Sequence, residues 1–184
     1  MKSILKIALI LVLCFTLTSC LVNTAVGVVK TAAKVGYKVV KGTVNGVGWA
    51  VKKAQGKIDE DRLEGKWKIV GVYNGSYDTF AKDENPANQY ESSCAGSEDI
   101  IEFKTKRSKF KPFHCATTDE EWISYKYKYG KNPQSSEKEN YVEYNSRNYI
   151  SVIDVTNKTM VLEGTLHLNG SFTGTQLIML EKTR

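Results

Sequence analysis

Hydrophobic positions change rhythm twice along the 184-residue chain. Ile7 to Leu17 is a short apolar run behind Lys2 and Lys6. From Leu21 to Lys57, valine and alanine are interleaved with lysine at helical spacing. With Val29 at zero and a step of about 100° per residue, Lys30, Lys34, Lys38, Lys41 and Lys52 share an arc of about 80°. Val22, Val26, Ala33, Val40, Val44, Val47, Val51 and Ala54 fall on a separate arc, also of about 80°. This predicts an amphipathic helix, weakened in water by valine and by Gly36, Gly42, Gly46 and Gly48. A helix lying on a membrane surface, packing on another helix through Gly42 and Gly46, and a tether are the three forms the arm can take.

Beyond Asp59 the period falls to two. "KWKIVGVY" sets Trp67, Ile69 and Tyr73 on one face, and "EDIIEFK" sets Ile101 with Phe103. "SKFKPFH" follows a polar turn. "EWISYKYKY" puts Ile123, Tyr125, Tyr127 and Tyr129 opposite Lys126 and Lys128. "NYVEY", "NYISVIDV", "TMVLEGTLHL" and "SFTGTQLIML" complete about eight strands, and Asn-Gly in "LNGSF" suits a tight hairpin. Short turns between most strands predict an antiparallel up-and-down β-barrel. One long interruption, Asn74 to Ser97, is expected to be a functional loop or a disordered insertion.

Charge sharpens this division. The net charge is +6, but residues 1–57 hold nine of the 26 basic residues and none of the 20 acidic ones. The remainder, 17 basic against 20 acidic, is slightly negative. A basic footprint is therefore missing from the folded part, which argues against nucleic acid as partner.

"LTSC", ending at Cys20 behind the apolar run, resembles a bacterial lipobox. That resemblance implies a signal peptide over 1–19 and lipid attachment at Cys20. Three regions follow: signal, lipidated cationic arm (20–57) and β domain (58–184). The apolar run is too short for a typical membrane-spanning helix. Leu21 stands where some inner-membrane lipoproteins carry aspartate, which points to the outer membrane. Membrane lipid is then the expected partner, through the acyl anchor and through lysines facing anionic headgroups. In an oxidising compartment the remaining pair, Cys94 and Cys115, is expected to form a disulfide. The two flank the hairpin of "EDIIEFK" and "SKFKPFH" at nearly equal distances from its turn.

"LEGKWKIVGVY", Leu63 to Tyr73, resembles the Gly-x-Trp first strand of lipocalins. "CAGSEDIIEFK" and "YISVIDVTNKTMVLEG" resemble later segments of the lipocalin-like domains of secreted bacterial lipoproteins. The resemblance implies a small, often eight-stranded barrel in which Gly65 and Trp67 are structural. It also implies a first loop that partly covers the mouth, and binding of a small apolar or amphipathic molecule. Trp67, Phe103, Tyr125 and Tyr127 then either line a cavity or fill it. The alternative function is a structural or interaction module of the envelope, with a packed core and an envelope protein as partner.

Catalytic and metal chemistry find little purchase. His114 and His167 have no ligand spacing, and Asp78, Asp83 and Glu84 lack a calcium-loop pattern. No nucleophile elbow or phosphate loop occurs. The expectation is a protein without cofactor or metal that is not an enzyme.

Overall fold

The computed structural model describes residues 40–44, 47–118, 121–166 and 174–183, with side chains from Ala50 onward. A hairpin, β1 (Val40–Val44) and β2 (Val47–Val51), comes first. A 3₁₀ turn, Glu60–Leu63, leads into β3 (Gly65–Asn74) and the short helix α1 (Tyr77–Lys82). Then follow β4 (Asp99–Lys104), β5 (Lys109–Cys115), β6 (Ile123–Lys131), β7 (Lys138–Tyr144), β8 (Asn148–Val155), β9 (Thr159–Gly164) and β10 (Gln176–Lys182). β3 to β10 close into a barrel in chain order, each strand antiparallel to its neighbours, with β10 returning to β3. Every stretch read as a strand from its period of two contains a barrel strand within the described residues. The Asn-Gly turn of "LNGSF" lies outside the described residues.

The hairpin corrects one expectation. Val40 pairs with Val51 and Val44 with Val47 where a helix was expected. Valine has its χ1 restricted on a helix and fits a pleated surface, so β-branching prevails over the lysine spacing. Lys41 therefore sits on a strand. Lys30, Lys34, Lys38 and Cys20 lie outside the described residues.

Register shifts decide which residues face inward. Between β10 and β3, Met179 pairs with Gly71 and Leu180 with Ile69, leaving Val70 as an extra residue. Such a bulge reverses the side-chain alternation beyond it. Trp67, Ile69 and Val72 therefore point into the barrel core, while Val70 and Tyr73 join a second cluster outside it. The expected common face for Trp67, Ile69 and Tyr73 fails at Tyr73 for this reason. A similar skip at Ile153 in β8 turns that residue outward.

The outer cluster explains why several strands are apolar on both faces. Val70, Tyr73, Ile153, Val161, Leu177 and Met179 form its floor, and Tyr77 and Phe80 of α1 with Val51 of β2 cover it. Tyr73 and Phe80 meet edge to face at 4.7 Å. The long loop is thus partly helical; it packs Tyr77 and Phe80 on the barrel's outer wall, while its Tyr90 packs half-buried against the inner cluster. Ser76 caps α1, its Oγ accepting from Thr79 N–H at 3.3 Å. Further along, Val72 N–H donates to Asn88 Oδ1 (3.0 Å) and Gln89 N–H to Val72 O (2.9 Å). The loop therefore runs beside the upper half of β3, beyond the part paired with β4.

Candidate functional site: the barrel interior

The four residues expected to line or fill a cavity do converge. Trp67, Phe103 and Tyr125 are buried in the inner cluster, and Tyr127 packs against it half-buried. Two rings that the sequence reading did not single out complete the arrangement. Phe110 stacks on Phe103 at 5.3 Å and meets Tyr125 edge to face at 5.7 Å. Tyr144 meets Phe110 at 5.1 Å. Phe110 lies directly across from Phe103 in the β4–β5 hairpin, so cross-strand register was the signal for it. The interlocked rings pack as core at the end of the barrel beside the β4–β5 turn.

Their polar tips are satisfied by the chain itself. Trp67 Nε1–H donates to Leu63 O at 2.7 Å. The Tyr125 hydroxyl donates to Glu60 Oε1 at 2.8 Å. The Tyr127 hydroxyl lies 2.9 Å from Asn140 Oδ1 and 3.0 Å from Ile58 O. Ile58 N–H donates to Asn140 Oδ1, and Asn140 Nδ2 to Gly56 O. Residues 56–63, where the arm meets the β domain, therefore plug the lower end. Desolvation raises the pKa of Tyr125, and its bond to Glu60 raises it further. Desolvation likewise raises Tyr127, with the charges of Glu60 and Asp59 adding to it. Both hydroxyls stay protonated and serve as donors.

Gly65 begins β3 at φ +109°, where an L side chain is strained, and a Cβ there would meet Lys182 Cε at 3.3 Å. Lys182 Nζ sits 5.0 Å above the Trp67 ring. Gly65 and Trp67 thus act together at the entry to the barrel.

The upper end differs. Asp99 is fully buried, its Oδ2 accepting from the Tyr90 hydroxyl (2.8 Å) and Ser93 N–H (3.1 Å). Cys94 and Cys115 are joined in a disulfide with Cα atoms 5.4 Å apart. Cys115 pairs with Asp99 at the open end of the hairpin, as the spacing from the turn predicts. Together these bonds fasten the end of the long loop. Asp99 Oδ1 and both amide atoms of Gln176 are buried without a hydrogen-bond partner. Gln176 lies on the inner face, two residues from Ile178 of the inner cluster. Cys94, Asp99 and Cys115 offer atoms within 4.8 Å of one another. The disulfide removes both thiolates, the form of cysteine that binds metal.

Outside, carboxylates hold the end of the arm. Glu139 Oε1 accepts from Asn132 Nδ2 (2.7 Å), Ser135 Oγ (2.5 Å) and Ser151 Oγ (2.8 Å). Lys53 Nζ lies 2.6 Å from Glu137 and 3.7 Å from Glu139. Burial opposes the Lys53 charge, but the Glu137 bond and the nearby carboxylates prevail and raise its pKa. Ala54 N–H donates to Ile153 O at 2.8 Å, and Lys52 N–H reaches Asp154 Oδ2 at 3.5 Å. Glu163 Oε2 accepts from Tyr77 N–H at 2.7 Å. Desolvation raises the pKa of both Asp154 and Glu163. Lys52, expected at a membrane surface, is exposed beside the barrel wall, and Lys53 is the lysine that binds it.

Among the described residues, open surface clefts include the following two. One of about 520 Å³ is lined by Lys57, Ile58, Asp59, Glu60 and Asp61. The other, about 290 Å³, is lined by Lys68, Glu98, Glu181, Lys182 and Thr183. Neither contains any of the four aromatic residues. Among the described residues, no helix is long and apolar enough to cross a membrane.

Fold and interior define a mainly β protein with a closed, eight-stranded antiparallel barrel, an architecture compatible with lipocalin-like domains. Compared with known proteins, the chain matches no family model, no curated protein and no solved structure.

Proposed function

We propose that this protein is a lipid-anchored, non-catalytic interaction module of the bacterial cell envelope, held by Cys20 at the outer membrane. One observation carries the non-carrier part of this reading. The rings expected to line a cavity interlock, and their polar tips bond to the chain's own plug. An eight-stranded barrel is just wide enough to be filled in this way. The lipobox-like "LTSC" supports the anchor, and the excess of lysine in 1–57 suits an anionic bilayer.

A specific observation favours carriage of a small molecule as the second reading. Gln176 is an inward-facing amide with no partner, and a buried polar group left unpaired costs about 1–3 kcal/mol. A guest with a polar end would relieve that cost. Purifying the full chain from membranes in mild detergent, after cross-linking in cells, separates the two. The module reading expects cross-links to an envelope protein and no stoichiometric small molecule in the organic extract. A small molecule recovered at one per chain, and lost in Gln176→Leu, would establish carriage instead.

A further inference from the structure

At the upper end of the β4–β5 hairpin, Cys94, Asp99 and Cys115 bring two sulfurs and a carboxylate oxygen within 4.8 Å of one another. In a tetrahedral zinc site, Zn–S bonds of about 2.3 Å and Zn–O bonds of about 2.1 Å set neighbouring donor atoms roughly 3.5–3.8 Å apart. Once the disulfide is open, all three donors therefore reach a single ion with a small movement of the chain. Cys115 stays paired with Asp99 in the ladder. The movement falls on Cys94, whose backbone bonds are long: its N–H to Ser92 Oγ at 3.4 Å, and Ser97 N–H to its carbonyl at 3.3 Å.

The carboxylate is what points to an ion. Asp99 is fully buried, and its two oxygens are treated unequally. Oδ2 accepts from the Tyr90 hydroxyl and from Ser93 N–H, while Oδ1 has no hydrogen-bond partner. Donors that fix one oxygen and leave the other open orient a carboxylate as a ligand. A buried oxygen left unpaired is costly, and the disulfide does nothing to relieve it. A metal ion held by the same three residues would. Two thiolates with one carboxylate suit zinc; calcium and magnesium take oxygen ligands, and copper(I) favours soft sulfur. Cys115 is half-buried, which leaves water a route to the fourth position. Thiols are kept reduced in the cytosol. Elsewhere a dithiol reductant opens a disulfide by exchange, its own two sulfurs becoming the disulfide. The two thiol protons then leave as the metal binds.

We propose that, while its thiols are reduced, the protein binds one zinc ion through Cys94, Asp99 and Cys115, so that metal and disulfide are alternative clasps for the end of the long loop. Neither the lipid anchor nor the interaction-module reading enters into this site.

The test uses the full-length protein in detergent, reduced with excess dithiol and freed of it by gel filtration under argon. Cobalt(II) is titrated as the spectroscopic probe, and zinc as its competitor. One cobalt per chain should bind with a thiolate-to-metal absorption band, and one zinc should displace it. Protein left oxidised should show no band. Cys94→Ser should lose the band although it keeps Cys14, Cys20 and both histidines. Zinc affinity should fall about tenfold in Tyr90→Phe, which removes the hydroxyl bonded to Oδ2, and further in Asp99→Asn. Zinc at about a hundred times its Kd should raise the melting temperature of the reduced protein by about 5–10 °C and leave the oxidised protein unchanged. If the reduced chain unfolds without metal, zinc should restore its native tryptophan emission. No thiolate band in the reduced wild type, an equal band in Cys94→Ser, or zinc affinity unchanged in both Tyr90→Phe and Asp99→Asn overturns the proposal. Equal zinc binding by the oxidised protein also overturns it, in favour of a site elsewhere in the chain.

Discussion

Replacing Phe110 by alanine tests whether the barrel is filled. The ring is fully buried and contacts Phe103, Tyr125 and Tyr144 at centroid distances of 5.3, 5.7 and 5.1 Å. Core Phe→Ala substitutions cost about 3–5 kcal/mol, from lost transfer energy plus the residual cavity. Aromatic pairs contribute roughly 0.5–1.5 kcal/mol each beyond area burial. Three such pairs place Phe110→Ala near the top of the range, about 4–5 kcal/mol. At roughly 4 °C per kcal/mol for a domain of this size, the melting temperature should fall by about 15–20 °C. A ring facing an empty cavity would lack partner atoms on that side and cost much less, about 1–2 kcal/mol. Urea unfolding of the oxidised protein, followed by tryptophan fluorescence, measures the difference, and Phe110→Leu supplies a milder step if alanine prevents folding. The new hole should be dry and apolar, so benzene should restore part of the stability of Phe110→Ala and leave the wild type unchanged. A loss below about 2 kcal/mol, or benzene stabilising both proteins equally, would refute the filled interior.

Reducing the Cys94–Cys115 bond, which spans 21 residues, should cost about 3 kcal/mol in the chain-entropy model, read from denaturant midpoints with and without reductant. Glu163 and Asp154 have raised pKa values in the fold, so the folded state binds protons more tightly than the unfolded chain. Their ionisation opposes folding at neutral pH, and stability should be recovered as pH falls through the raised values toward the ordinary carboxylate range. Glu163→Gln should keep the acceptor for Tyr77 N–H and flatten that part of the stability–pH curve; an unaltered curve would show that burial at this site carries no linkage. Cys20→Ala should fail to incorporate labelled fatty acid in cells, and labelling equal to wild type would remove the lipid anchor.

The sequence alone determined the strands and their neighbours. A period of two survives in each segment because one face of every strand meets the core, and short turns leave antiparallel pairing as the only close connection. The disulfide was legible for the same reason, since Cys94 and Cys115 flank one hairpin symmetrically about its turn. Tertiary structure decided the rest. The bulge at Val70 sends Tyr73 outward, and strand periodicity contains no mark of an extra residue that only the register with β10 reveals. The arm's lysines repeat at helical spacing, yet Val40–Val51 pairs as a hairpin, because a periodic stripe does not outweigh β-branched residues that have a strand to pair with. Whether Trp67, Phe103, Tyr125 and Tyr127 would enclose a space or close it was undecided by their identities. Their surroundings come from elsewhere in the chain: Phe110 and Tyr144 arrive from other strands, and residues 56–63 fold back to receive the hydroxyls. Packing is a property of what meets across the barrel, and those meetings join residues far apart in the chain.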